Sequence, residues 1–205
     1  MSKLRIDTVI FDMDDVLCAY DRKVRIDHLA ETTGLPPAQI VEAIWTSGFD
    51  DRADEGAYTA DEYLTETNRR LGTPLTADQW AAARRASMTP YPEVLEVVRI
   101  LSAQVTVAGF TNNGPLMQRM MSEIFPEAVA IFGQRLFFSS DIGLAKPNSD
   151  AFHAVLGRLG AEPSSTLFID DNERYIEGAR TAGLHVHRFT EFEKLKSALI
   201  EFGLI

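Results

Sequence analysis

Cysteine occurs once in the 205 residues, at Cys18. An internal disulfide is therefore excluded, which suits a reducing, cytoplasmic setting. The lone thiol follows closely on a run of acids, and we read it as a small core residue rather than a reactive one. No apolar run approaches the roughly 20 residues needed to span a bilayer. The N-terminal run, behind Lys3 and Arg5, breaks at Asp12 and is too short for a secretory leader. Basic residues are outnumbered, with 20 Lys and Arg against 30 Asp and Glu, a formal net charge of −10. That balance argues against nucleic acid or an anionic membrane as a partner. It leaves an anionic small molecule open, because a cation and a few side chains can reverse the field locally. His28, His153, His185 and His187 are scattered without metal-ligand spacing, so they read as structural or surface residues. There are no repeats and no low-complexity segments. What remains is an ordinary globular composition, 45% hydrophobic and 24% charged, of a length for one domain or one domain with an insertion. Such a chain is expected to be a monomer or a homodimer.

The stretch Thr8 to Leu17, TVIFDMDDVL, stands out. Val9, Ile10 and Phe11 suit a strand buried on both faces. The run stops at Asp12, and Asp14 and Asp15 follow. One carboxylate pair at 4 Å repels by about 4 kcal/mol at an effective dielectric near 20. A fold that tolerates three acids there either holds a cation or uses the charge. The competing reading is a capped strand-to-helix turn.

From Val24 to Ser87 the pattern is helical. Ile26, Leu29 and Ala30 begin one helix, ended by Gly34 and Pro36-Pro37; Ile40, Val41, Ile44 and Trp45 lie on a second. Tyr63, Leu64, Thr67 and Leu71 share a face of a third, and Thr76 to Ala86 forms a fourth. Beyond Tyr91-Pro92, strands predicted at Val105–Phe110, Leu136–Phe138, Thr166–Ile169 and Leu184–Val186 alternate with helices. This predicts an α/β fold, a doubly wound parallel, Rossmann-like sheet, with an inserted α-helical cap domain. The expected boundaries are 1–15 and 88–205 for the core and 16–87 for the cap.

Ligands of doubly wound sheets bind beyond the carboxyl ends of the strands. Polar clusters stand there: Asp12 and Asp14, Thr111-Asn112-Asn113, and Asp170-Asp171, with Lys146 in the loop after the third strand. Singly, each has an innocent reading as a helix cap or a solvated lysine. Together they supply acids, a hydroxyl, amides and an amine to one crevice.

On these residues the chain resembles the haloacid dehalogenase superfamily, and within it the phosphatase-like members with a helical cap. Asp12-Met13-Asp14-Asp15-Val16-Leu17 looks like the first motif, Thr111-Asn112 the second, Lys146-Pro147 the third, and Phe168-Ile169-Asp170-Asp171 the fourth. Ser139, Gly143 and Ile176–Ala179 also fall where the family tends to have them. One departure is Asp15, where the family often has glycine.

The resemblance implies a Mg²⁺-dependent phosphatase acting on a small phosphomonoester such as a sugar phosphate, through an aspartyl-phosphate. Asp12, with an unperturbed pKa of about 3.9, would attack phosphorus. Asp14 would protonate the leaving oxygen and then activate water. Lys146 would supply a positive charge. Thr111 and the backbone amides of Asn112 and Asn113 would hold phosphate oxygens. Asp12 and Asp171, with the Asp14 carbonyl and Asp170, would hold the metal. A 2-haloacid dehalogenase is a rival, but it has no use for an acid at Asp14. A phosphosugar mutase and a binding protein that kept the fold are others. Specificity is expected from the cap, with Tyr20, Trp45, Phe49, Asp50 and Arg52 as candidates; against this, the stronger reading of Trp45 is cap core and of Arg52 a solvated charge. Phe49 to Arg52 reads as a polar break between helices.

Overall fold

The computed structural model describes residues 5–205, so residues 1–4, Lys3 among them, lie outside it. Four consecutive buried residues form β1 (Thr8–Phe11), the middle strand of a five-stranded sheet. The chain then makes β2 (Cys18–Tyr20) and five helices: α1 (Arg22–Thr33), α2 (Pro37–Val41), α3 (Phe49–Asp54), α4 (Ala60–Leu71) and α5 (Ala77–Ala86). A π-helical turn, Glu42–Thr46, extends α2. β3 (Met88–Pro90) returns antiparallel to β2. Then follow α6 (Pro92–Ser102), β4 (Thr106–Thr111), α7 (Pro115–Ile124), α8 (Pro126–Phe132), β5 (Leu136–Phe138) and α9 (Ser139–Ile142). The chain closes with α10 (Ser149–Leu159), β6 (Thr166–Asp170), α11 (Glu173–Thr181), β7 (His185–Arg188) and α12 (Phe192–Glu201).

The sheet order is β5-β4-β1-β6-β7, all parallel. The expected α/β fold with a helical insertion is what the chain adopts. Alternation along β1 sends Val9 and Phe11 to one face and Ile10 to the other. Ile10 packs with Phe110, Phe152, Phe168 and Ile176. Val9 and Phe11 join a larger core that continues without a break into the insertion, through Leu29, Ile44, Phe49, Tyr63 and Trp80.

Local chemistry sets the helix ends. The Asp21 carboxylate accepts from the amides of Lys23 and Val24 and caps α1, and Gly34, at φ 72°, ends it. Reciprocal capping boxes start α4 (Thr59, Glu62) and α5 (Thr76, Gln79). Three features depart from the expectation. The β2–β3 ribbon and the short helix α8 were not foreseen, being three and seven residues long. The supposed break at Phe49–Arg52 lies inside α3, where Phe49 is fully buried and anchors the turn.

Candidate active site

Because β4 and β6 flank β1 in parallel register, with Phe11 opposite Gly109 and Ile169, all three strands end on one edge. Asp12 stands just past β1, and its amide donates to the Ile169 carbonyl at 2.9 Å. Asp170 is the last residue of β6 and wholly buried.

Lys146 reaches this edge from the loop between α9 and α10. Its Nζ contacts Asp12 Oδ1 at 2.8 Å, and donates to Asp170 Oδ2 at 2.7 Å and the Phe110 carbonyl at 3.1 Å. An ammonium has three donors, and all three are used. The rings of Phe110, Phe168 and Tyr175 surround it at 5.4, 5.3 and 4.9 Å. The Asn112 side chain grips the lysine backbone, donating to the Lys146 carbonyl and accepting from its amide, each at 2.9 Å. The next residue is pressed by α11: a Cβ on Gly178 would lie 2.2 Å from the Pro147 carbonyl oxygen. Glycine at this point lets α11 seat the loop that delivers Lys146.

Burial raises the Asp12 carboxyl well above the usual range; Lys146 opposes this and Asp170 adds to it. Burial works against the Lys146 ammonium, but the charges of Asp12 and Asp170 outweigh it and hold the amine above the usual lysine range. Asp171 is raised by burial first and by the charge of Asp170 second. Asp12, Asp170 and Asp171 each offer a carboxylate oxygen, all within 4.8 Å of one another. One ammonium does not neutralise three acids at that spacing. The donors are hard oxygens, so a hard divalent cation fits the set. Asp170 has one oxygen on Lys146 and the other accepting from the Asn172 amide at 2.8 Å. Asp12 and the half-buried Asp171 therefore carry the freer oxygens.

Asp14 faces away from this cluster, toward the helical insertion. Its Oδ2 pairs with Arg84 at 2.5 Å and accepts weakly from Asn113 Nδ2 at 3.5 Å, while its Oδ1 is buried without a partner. Asp15 adopts φ 59°, and its carboxylate accepts from the Tyr20 amide at 3.0 Å. A short polar side chain with a local hydrogen bond tolerates this left-handed conformation, so glycine is not required.

The phosphate-binding expectation needs correction in part. Thr111 is buried, and its Oγ1 accepts from Asn113 Nδ2 at 2.7 Å, leaving the hydroxyl proton to donate. The Asn113 amide is committed to Ser139 Oγ at 3.1 Å and is not offered to a ligand. Asn112 contributes its side chain to Lys146.

A cavity of about 90 Å³ opens beside Asp14 between sheet edge and insertion, lined by Tyr20, Arg22, Arg25, Trp45, Asp50, Asp54, Arg84, Asn112 and Asn113. Tyr20, Trp45 and Asp50 therefore face it. Phe49 does not: it is buried and stacks on Tyr63 at 5.0 Å. Arg52 is exposed and lies outside the lining. Arg22, Arg25, Asp54, Arg84 and Tyr175 were not anticipated. Arg84 follows Trp80 by four residues on α5, and both are buried, a spacing that marks one inward face. The thiol of Cys18 is buried, and burial pushes its pKa up, which leaves it unreactive.

Comparison with known proteins places this edge in context. A family model described as haloacid dehalogenase-like hydrolase matches residues 6–183. The chain belongs to that hydrolase family. A Mycobacterium tuberculosis (strain CDC 1551 / Oshkosh) protein named as a phosphatase is 26% identical over 190 residues, 90% of this chain and 87% of its own. Two further curated relatives are spanned over only 42% and 53% of their length. Among solved structures, a predicted HAD-like hydrolase from Porphyromonas gingivalis superposes with TM-score 0.79, covering 96% of this chain and 97% of that one at 24% identity. A HAD family enzyme from Bacteroides thetaiotaomicron, in complex with magnesium and inorganic phosphate, gives TM-score 0.74 over 90% and 94% at 20% identity. No helix among the described residues is long and apolar enough to cross a membrane.

Proposed function

We propose that this chain is a Mg²⁺-dependent phosphatase that hydrolyses a small phosphomonoester through an aspartyl-phosphate on Asp12. The observation that supports this most directly is the lysine tripod: Lys146 Nζ holds Asp12 at 2.8 Å and Asp170 at 2.7 Å, fixing one nucleophilic oxygen and aiming the other. Asp12, Asp171, Asp170 and the Asp14 carbonyl would hold the metal. Bound there, Mg²⁺ would screen the acids from an incoming phosphate dianion and polarise the phosphoryl group. Lys146 keeps Asp12 oriented and opposes its protonation. Thr111 donates its hydroxyl to a phosphoryl oxygen. Asp14 stands two residues along, at the mouth of the cavity that would receive the leaving group. There it gives a proton to the departing oxygen and takes one from water in the second half-reaction. The insertion, residues 16–87, serves as a cap over the site.

A dehalogenase expels halide without a proton, so Asp14, set beside the leaving-group cavity, has no task in that chemistry. The test is phosphate release from a broad panel of small phosphomonoesters with Mg²⁺, run beside halide release from a 2-haloacid. Phosphate release that vanishes in Asp12→Asn supports the proposal. Halide release without phosphate release would replace it.

A further inference from the structure

The cavity beside Asp14 has an unusual donor balance. Arg84 is 1% exposed, yet its Nε and Nη1 are buried without partners, as is Arg25 Nε. Against these three donors stands one wholly buried acceptor without a partner in the same lining, Asp14 Oδ1. Leaving buried donors unmade is costly, and more so when they are charged. Such a cost is offset when a ligand completes the bonds.

The guanidinium groups are also held in place. Arg84 lies over the Tyr20 ring at 4.1 Å. Arg25 is sandwiched between Trp45 and Trp80 at 5.2 and 4.9 Å, and its Nη1 donates to the Tyr20 hydroxyl at 3.3 Å. Aromatic faces fix a guanidinium plane without consuming its N–H donors. Two preset planar forks suit a planar, acceptor-only group, and a carboxylate is that group. Asp50 and Asp54, on the same wall, are acceptors for a hydroxyl.

We infer that the substrate is the phosphate ester of a short hydroxy acid, whose carboxylate is bound by Arg84 and Arg25. This rests on the phosphatase proposal above and narrows it. Arg84 touches Asp14 itself, so the carboxylate sits within one or two carbons of the ester oxygen that Asp14 protonates. The cavity, about 90 Å³, is small, which suits a short leaving group. Without ligand, Arg84 is occupied by Asp14. A substrate carboxylate takes over the guanidinium and frees the Asp14 side chain to turn to the leaving oxygen. An uncharged leaving group leaves Arg84 on Asp14.

The test uses matched pairs that differ only in this group: phosphoglycolate against hydroxyethyl phosphate, and phosphoglycerate against glycerol phosphate. With Mg²⁺ at neutral pH, kcat/KM for the acid member of at least one pair should exceed its neutral partner by tenfold or more. Arg84→Lys keeps charge but loses the fork, and should bring that ratio within threefold. Arg25→Lys should shrink it as well, and circular dichroism checks folding in both. Equal rates for both members of each pair overturn the inference while the phosphatase proposal stands. So does an Arg84→Lys loss that is the same for acid and neutral members, which would make Arg84 a positioning residue for Asp14. No phosphate release from any ester overturns both.

Discussion

At the residue scale the site turns on one buried ammonium. Lys146 spends every donor on Asp12, Asp170 and a main-chain carbonyl. Removing one partner of a buried ion pair typically costs 3–5 kcal/mol, because the remaining charges are left unmatched. Lys146→Met is therefore expected to lower stability by about that amount in chemical denaturation, and to abolish turnover. Asp12→Asn keeps an oxygen to accept from Lys146, so its melting temperature should stay near that of the parent. Its phosphate release should fall by about 10⁴-fold or more, in keeping with loss of a nucleophile. Asp54 behaves differently. Burial raises its pKa well above the usual value, and the charges of Asp50 and Asp51 add to this against the pull of Arg25 and Arg84. A folded pKa above the unfolded one gives stability that is present below the unfolded pKa and lost as pH rises through the folded one. Asp54→Asn should thus melt higher than the parent at neutral and alkaline pH, with the gap closing near pH 4. A gap that widened on acidification would contradict the direction of the shift.

At the scale of elements, the contact of α11 with the Lys146 loop sets the geometry. Gly178 lies where any Cβ would run into the Pro147 carbonyl. Gly178→Ala is expected to push the loop away from α11 and shift Lys146 from its two carboxylates. That should lower kcat more than it raises KM, since the lysine acts on the nucleophile rather than on the leaving group. Steady-state kinetics separate the two effects. The sheet edge was legible in the sequence because buried parallel strands are continuous apolar runs, and Asp12, Thr111 and Asp170 interrupt three of them abruptly. The cavity wall was not legible. Arg25 and Arg84 sit on charged helices, where an arginine ordinarily reads as solvated. The ring faces of Trp45, Trp80 and Tyr20, brought together from a helical turn, a helix and a strand distant in sequence, line their inward course. Phe49 failed as a candidate for the same reason, since its neighbour Tyr63 comes from another helix. Short elements escaped too: three residues of β2 and three of β3 carry no period to detect.

For the whole molecule, folding brings three acids to one place and leaves them incompletely neutralised. A cation that binds only the folded state adds about 2.7 kcal/mol at a hundred times its dissociation constant. Mg²⁺ should therefore raise the melting temperature. EDTA should remove both that gain and the activity, and restored Mg²⁺ should return them. Asp12→Asn should show a smaller Mg²⁺-dependent rise than the parent, measured by scanning calorimetry. The core that spans sheet and insertion is continuous, and α4 and α5 both lie against α7, whose Leu116, Met117, Met120 and Met121 are buried. The inserted helices and the sheet are thus joined by side-chain packing as well as by chain.

The ribbon of β2 and β3 decides how that join is made. Tyr20 is the register partner of Met88, so the chain leaves the sheet region and comes back to it at the same spot. Neighbouring antiparallel strands sit about 4.8 Å apart, a gap that a two-residue hairpin turn closes. Residues 21–87 are in effect a cassette on a single stalk. A chain with 21–87 replaced by Asn-Gly is expected to keep the five-stranded sheet only if α7 receives a new apolar covering for its methionines, which circular dichroism and thermal melting of the shortened chain would check.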